Sequence, residues 1–311
     1  MKLIDILGFD PGYSDIKESY RNENGEIINR KYSSLVAEAS ADATDMPLLE
    51  GKRYYMGEEA LVRGSEEIIE LTDYMQLEKT IPLFLYKSIK DNNIDPNQLK
   101  YIVSGLSFAQ ISKGPDFIKR LSKFKINNET FNFSKRVLLA PQAVGAKYAI
   151  EYFFPEGPKT YLIIDIGFST IDIVDVINSV VRRENVHGYK DEGIIRIARN
   201  LQNYIAEKFS ENVSLKEVKE ILETKTFFLE GEDYDLSDKI EEFSKIYTES
   251  TIKTLQERFS REFKKYRKIY FVGGGAYFID SSISKVIEIL PEPEFYNSIG
   301  NLLRGEQELQ K

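Results

Sequence analysis

The sequence predicts an α/β protein built from two similar halves, and three observations carry that reading. A strand-turn-strand hairpin bearing a carboxylate, a glycine and a hydroxyl spans Ile6 to Lys17, and its layout returns at Leu162 to Asp172. After each copy, strand-like runs alternate with helical periodicities rather than segregating from them. Between the copies lies Pro155-Glu156-Gly157-Pro158, the clearest linker signal in the chain. At 311 residues there is room for two ordinary domains, or for one large α/β domain with insertions.

In order, Lys2 to Phe9 reads as a strand, Asp10 to Ser14 as a turn and Ile16 to Tyr20 as a second strand. The turn signal Asn22-Glu23-Asn24-Gly25 then leads to a third strand from Ile27. Residues Tyr32 to Asp73 are less regular, with short elements around Arg53 to Met56 and Glu66 to Leu71, and form a small inserted subdomain. Leu77, Ile81, Phe84, Leu85 and Ile89 recur at helical spacing until Asp91-Asn92-Asn93 ends the helix. Strand Tyr101 to Val103, a helix after Pro115, a hairpin of Phe124 to Ile126 with Phe131 to Phe133, and strand Arg136 to Leu139 follow. A helix is expected over Gln142 to Phe153.

Beyond the linker come strands Tyr161 to Ile164, Ile171 to Val176 and a third from Val180. Ile194, Ile197, Ala198, Leu201 and Ile205 share one helical face, and Ser214 with Glu217 makes a capping box for Leu215 to Leu222. A long helix is predicted over Ser237 to Tyr266, packing on its own domain because its stripe is interrupted at Ser250-Thr251. Strand Lys268 to Val272, a short helix around Ser282 to Leu290 and a last helix from about Ser298 complete the chain.

Composition narrows the chemistry. There is no cysteine, which removes disulfides, thiolate metal sites and cysteine nucleophiles. The single histidine, His187, lies beside Gly188 where a structural or solvent-facing role is expected, since a general base needs an orienting partner. A net charge of −8 argues against direct nucleic-acid binding. The basic runs Arg182-Arg183 and Lys264-Lys265 with Arg267-Lys268 read as solvated faces. No run approaches the roughly 20 apolar residues of a membrane span and no signal-peptide layout opens the chain, so a cytoplasmic protein is expected.

The two hairpins hold the residue types that phosphate and a metal require. Gly12 removes a side chain that would block backbone approach, Ser14 adds a donor, Lys17 is a compact positive charge, and Asp10 suits the waters of magnesium. Alone, this hairpin is equally an ordinary Asp-Pro-Gly turn. Asp165, Gly167, Ser169, Thr170 and Asp172 repeat its order, which favours a pair of phosphate-gripping loops. Gln142, in Ala140-Pro141-Gln142-Ala143-Val144-Gly145-Ala146, is placed to orient a water for in-line attack on a γ-phosphate, or else is a helix-start amide. Gly273-Gly274-Gly275-Ala276 after a strand would admit a base or sugar against bare backbone. Neither a Gly-x-Gly-x-x-Gly fingerprint nor a P-loop occurs.

In order, Asp10 to Lys17, Pro141 to Ala146, Asp165 to Asp172, Val272 to Ala276 and Asn297 to Gly300 resemble the phosphate-one, connect-one, phosphate-two, adenosine and connect-two motifs of the actin-like ATPase superfamily. The resemblance spans essentially the whole chain and is nearest the ParM/StbA plasmid-segregation branch and its archaeal actin-like relatives. It implies an actin-like (ribonuclease H-like) ATPase fold with halves at 1–157 and 158–311. It also implies insertions near 31–76 and 194–267, and a C-terminal helix returning to the first half. On those motifs it implies ATP and Mg2+ as cofactors, with Asp10 and Asp165 toward the metal and Gln142, Asp165 and Asp10 as catalytic. The nucleotide contacts implied are Asp10, Gly12, Tyr13, Ser14, Lys17, Asp165, Gly167, Phe168, Ser169, Thr170, Gly193, Gly273, Gly274, Gly275 and Ala276. Phe168 stands where many relatives carry glycine, and Gln142 where plasmid ParM proteins tend to carry glutamate.

The resulting expectation is an ATP hydrolase that polymerises with itself into nucleotide-dependent filaments for plasmid or DNA segregation. The acidic charge calls for a DNA-binding adaptor, with neither direct nucleic-acid nor membrane contact. The alternative is a non-polymerising ATPase or small-molecule kinase of the same superfamily. Against a kinase, the expected catalytic aspartate of the second half and longer insertions are not identifiable.

Overall fold

Strand β1 (Ile6–Pro11) is buried at every residue, as a central strand covered on both faces must be. This burial explains why its sequence is nearly all apolar until Asp10. It turns into β2 (Asp15–Arg21), which pairs antiparallel with β1 and then with β3 (Ile27–Ser33). In the computed structural model, which describes residues 4–63, 68–69, 71, 73–259 and 263–311, the chain divides into two units. One runs to Gly157 and includes Glu294–Lys311; the other is Pro158–Pro293.

In the first unit the chain leaves β3 for a small sheet of β4 (Val36–Ala39), β5 (Leu48–Leu49), β6 (Lys52–Met56) and, after helix α1 (Glu58–Arg63), β7 (Ile68–Ile69). Helix α2 (Tyr74–Asp91) starts where the Asp73 side chain accepts the Gln76 amide, 3.0 Å away. It buries Leu77, Ile81, Phe84, Leu85 and Ile89 in the unit's core, the stripe its spacing predicts. Strand β8 (Tyr101–Leu106), helix α3 (Gly114–Ser122), the hairpin β9 (Lys123–Ile126) with β10 (Glu129–Asn132), β11 (Val137–Pro141) and helix α4 (Val144–Phe153) follow. The main sheet has the order β11-β8-β1-β2-β3, with β1, β8 and β11 parallel. Gln142 and Ala143 sit in the turn before α4 rather than in its first turn as expected, because Ala143 takes a positive φ of 62°.

The second unit repeats the motif. β12 (Tyr161–Ile166) is buried throughout and pairs antiparallel with β13 (Thr170–Ile177). β13 is flanked by β14 (Val180–Val181) and β15 (His187–Lys190). His187 begins β15 with its ring against Tyr189 and Phe259. Burial, helped by the Arg258 charge, pushes its pKa down, which fits a packing role.

Helices α5 (Ile195–Phe209) and α6 (Leu215–Thr224) come next, the latter with the expected Ser214/Glu217 capping box. The hairpin β16 (Thr226–Leu229) with β17 (Glu232–Asp235) was not anticipated. Its two-residue turn puts Glu230 and Gly231 at φ 51° and 91°, the sign a tight hairpin turn demands.

Helix α7 (Ser237–Arg258) stops with Phe259 as its cap, short of the Tyr266 end that periodicity suggested. β18 (Ile269–Val272) runs parallel to β12. The short helix expected over Ser282 to Leu290 is instead one 3-10 turn and a strand, β19 (Ile287–Ile289), parallel to β18. Val286, Ile287 and Ile289 are β-branched and suit an edge strand better than a helix.

The last helix, α8 (Tyr296–Leu309), belongs to the first unit and packs on β1 and α4. Parts of the expected elements at Lys2-Leu3, Glu66-Glu67 with Glu70, and Ser260 to Glu262 lie outside the described residues. Among the described residues no helix is long and apolar enough to cross a membrane.

Candidate functional site

In the first unit, β1 carries Asp10 to the carboxyl ends of parallel strands β1, β8 and β11, the end at which α/β sheets hold ligands. The following turn closes through the Gly12 amide, which donates to the Asp15 carbonyl over 2.9 Å. A Cβ on Gly12 would lie 2.9 Å from that oxygen and 3.1 Å from Lys17 Nζ, so the turn leaves no room for a larger residue. The strand register places Asp10 opposite Lys17, whose Nζ donates to the Asp15 carbonyl over 3.2 Å.

Gln142 joins this group from the end of β11. Its Nε2 donates to Asp10 Oδ1 over 2.8 Å, and its backbone amide to the Leu106 carbonyl over 2.8 Å. Asp10 is 4% exposed. Burial pushes its carboxyl above the usual range, opposed by the Lys17 charge and the Gln142 hydrogen bond.

The turn's tip is fastened from behind. Ser34 donates from Oγ to the Tyr13 carbonyl over 2.8 Å and from its amide to the Ser14 carbonyl over 3.0 Å. Gln110 Nε2 donates to the Tyr13 hydroxyl. Ser14 Oγ itself is buried and has no hydrogen-bond partner among the described residues. A buried hydroxyl in that state costs about 1–3 kcal/mol until something accepts from it. Ser34 and Gln110 carry no signal in the sequence and are brought to this turn by tertiary packing across long stretches of chain. Asn297, from the segment resembling connect-two, accepts the Ala143 amide over 2.9 Å beside Gln142.

In the second unit the same turn is built from different letters. The Gly167 amide donates to the Thr170 carbonyl over 2.9 Å, as Gly12 does to Asp15. By that equivalence Asp165 occupies the place of Asp10, Ser169 that of Ser14, and Asp172 that of Lys17. The register pairs Asp165 with Asp172, 6% and 2% exposed, so one hairpin faces a carboxylate with an ammonium and the other with a second carboxylate. Ser169 and Thr170 are also buried.

Helix α5 begins directly on this turn. The Ile194 and Ile195 amides donate to the Gly167 and Phe168 carbonyls over 3.2 and 2.7 Å, and a Cβ on Gly193 would fall 2.4 Å from the Gly167 oxygen. Phe168 lays its ring against the unit's core, with Lys219 Nζ 4.3 Å from the ring centre.

The triple glycine closes the second group. Gly273 has φ 82°, and a Cβ there would lie 2.3 Å from Asp165 Oδ1. Gly275 packs as tightly on Ile166 and Ile194, and Ala276 is fully buried with its amide on the Gly273 carbonyl. Gly274 is exposed, with open space where a Cβ would be. Thus Asp10, Gly12, Tyr13, Ser14, Lys17 and Gln142 assemble within the first unit. Asp165, Gly167, Phe168, Ser169, Thr170, Gly193, Gly273, Gly274, Gly275 and Ala276 assemble within the second.

Comparison with known proteins agrees with this architecture. Residues 163–285 match the family described as Archaeal actin homologue MreB-like, C-terminal. A search of curated proteins gives no match. Among solved structures, a 15-stranded ParM filament from Clostridium botulinum aligns over 99% of this chain and 100% of its own, at 18% identity and TM-score 0.78. The archaeal actin homolog Ta0583 aligns over 97% and 99% at 17% identity, also with TM-score 0.78. Bacillus thuringiensis ParM with ATP aligns over 100% of both chains at 18% identity and TM-score 0.66. From end to end the chain carries the actin-like fold, and residues 163–285 of its second unit match the archaeal MreB-like C-terminal family.

Proposed function

We propose that the chain is an ATP hydrolase whose nucleotide state governs its assembly into filaments. The observation that carries the reading is the arrangement of Gln142, Asp10 and Lys17 on the Gly12 turn, beside a buried Ser14 hydroxyl that lacks an acceptor. An anionic phosphate oxygen supplies that acceptor, and the glycine turn leaves its backbone approachable.

The residues also fit a magnesium ion. Asp10 in the first unit and Asp165 in the second are buried carboxylates at equivalent hairpin positions, and each by itself is the kind of group that accepts from the waters a magnesium ion keeps. Held there, such an ion would supply positive charge against a phosphate chain. Lys17 places a further positive charge beside Asp10. Gln142, already directed at Asp10, holds and orients the attacking water through its carboxamide, a task of positioning rather than strong basicity. Gly273 and Gly275 are packed on Asp165 and Ile166, and Gly274, exposed with open space at its Cβ position, offers bare backbone to the nucleoside end of the ligand.

Assembly is supported by the likeness to a ParM that forms a filament and to a ParM bound to ATP. A net charge of −8 favours attachment to DNA through an adaptor, in a cytoplasmic plasmid- or DNA-segregation role. Light scattering and sedimentation with and without magnesium ATP test the proposal. Nucleotide-dependent scattering is expected, and a protein that binds ATP yet never sediments at high concentration overturns the filament part.

A further inference from the structure

The backbone beside Gln142 is held in an unusual state. Ala143 has φ 62° and ψ −33°, a combination that non-glycine residues rarely adopt. Such residues persist only where their surroundings over-determine them, and they gather at functional sites. Here the surroundings can be named. The Ala143 amide donates to Asn297 Oδ1 over 2.9 Å, and Asn297 is itself 4% exposed.

The helix that carries Asn297 is fixed against both halves of the Asp10-Gln142 pair. A Cβ on Gly300 would lie 1.8 Å from the Gly145 carbonyl, so α8 and α4 touch backbone to backbone one turn beyond Asn297. A Cβ on Gly8 would lie 2.1 Å from the Ser298 carbonyl, so α8 meets β1 just as closely two residues before Asp10. Ser19 Oγ and Ser298 Oγ are bonded at 2.8 Å, which adds β2 to the same contact.

We propose that Asn297 is the positioning residue for Gln142. By accepting the Ala143 amide it holds the strained turn, and the strained turn aims the Gln142 carboxamide at Asp10. Asn297 acts through the backbone and is not itself a catalytic residue. The inference rests on the hydrolase reading for its kinetic consequence, but its structural consequence is independent of that reading.

The test uses the full chain, with Asn297→Ala and Asn297→Asp. The aspartate variant keeps an acceptor oxygen at the same place, in the first turn of α8 where a carboxylate is favoured. Hydrogen exchange read on the peptide covering residues 140–146 reports the turn, and exchange of α8 beyond Gly300 reports whether the helix stays folded. Turnover of magnesium ATP and nucleotide affinity are measured on the same samples.

For Asn297→Ala the expected result is lost protection at Ala143 with α8 still protected, and kcat about 10- to 100-fold lower at unchanged nucleotide affinity, the scale of a small misplacement. Asn297→Asp is expected to restore protection and most of kcat. Unchanged exchange at Ala143 in Asn297→Ala overturns the proposal, as does lost protection with an unchanged kcat. Should the wild type show no turnover at all, the hydrolase reading falls. The exchange comparison then still decides whether Asn297 holds the turn.

Discussion

Replacing Gly273 by alanine strikes the contact that joins the triple glycine to Asp165. The backbone there has φ 82° and ψ 161°, a region essentially restricted to glycine, which costs another residue about 1–3 kcal/mol. The new Cβ would stand 2.3 Å from Asp165 Oδ1 and 2.4 Å from the Ile166 carbonyl, about 0.7 Å inside the 3.0 Å that real Cβ atoms respect. Overpacking of this kind adds about 1–3 kcal/mol. The two together come to about 4 kcal/mol, which lowers the melting temperature by roughly 14 °C in a unit of this size. Because Asp165 must give way, nucleotide affinity in magnesium falls about tenfold or more.

The adjacent Gly274→Ala is the control, since among the described residues nothing beyond its own local backbone lies within 4 Å of its Cβ position. It should change stability by less than about 0.5 kcal/mol. Calorimetric melting of both variants, with nucleotide titrations, reads the difference. Equal melting temperatures for the two would refute the reasoning.

Three further outcomes are expected. Gly300→Ala drives a Cβ to 1.8 Å from the Gly145 carbonyl and forces α8 off α4, costing about 3 kcal/mol or more; a denaturation midpoint equal to wild type contradicts it. Ser14→Ala removes a buried hydroxyl with no partner among the described residues, so ligand-free stability should rise by about 1–3 kcal/mol while nucleotide affinity drops about tenfold. Titration calorimetry beside a thermal melt checks both halves of that statement. Asp10→Asn addresses pH. Since burial raises the Asp10 carboxyl in the folded chain, ionising it weakens the fold as pH climbs from the ordinary carboxylate value through the raised one. The asparagine variant should therefore match wild type in acid and exceed it in stability above that window, and parallel curves of stability against pH would count against the assignment.

What could be read from the letters is what is encoded locally. Both hairpins were visible because Asp10-x-Gly12 and Asp165-x-Gly167 each need a glycine at a turn, and both turns close with the same amide-to-carbonyl bond. The α2 stripe and the Ser214 capping box were equally legible, being matters of three- and four-residue spacing. Long-range partners were not. Nothing within a few residues of Gln142 announces that it meets Asp10, 132 positions earlier, or that Asn297, 154 positions beyond Ala143, accepts the neighbouring amide.

The errors have the same origin. Ser282 to Leu290 carries apolar residues compatible with a helix, yet pairing with β18 decides in favour of strand β19. The stripe of α7 invited an extension to Tyr266, while the helix stops at Arg258. Glu230-Gly231 is the turn signal of the β16–β17 hairpin, a weak one because the strand after it, Glu232–Asp235, is mostly acidic.

The most direct test of the account is phosphate release from magnesium ATP by the purified chain, measured beside Gln142→Ala. The account predicts release by the wild type, and release about 100-fold slower in the variant with nucleotide affinity little changed. No release by a wild type that binds ATP, or equal release by both proteins, would contradict it.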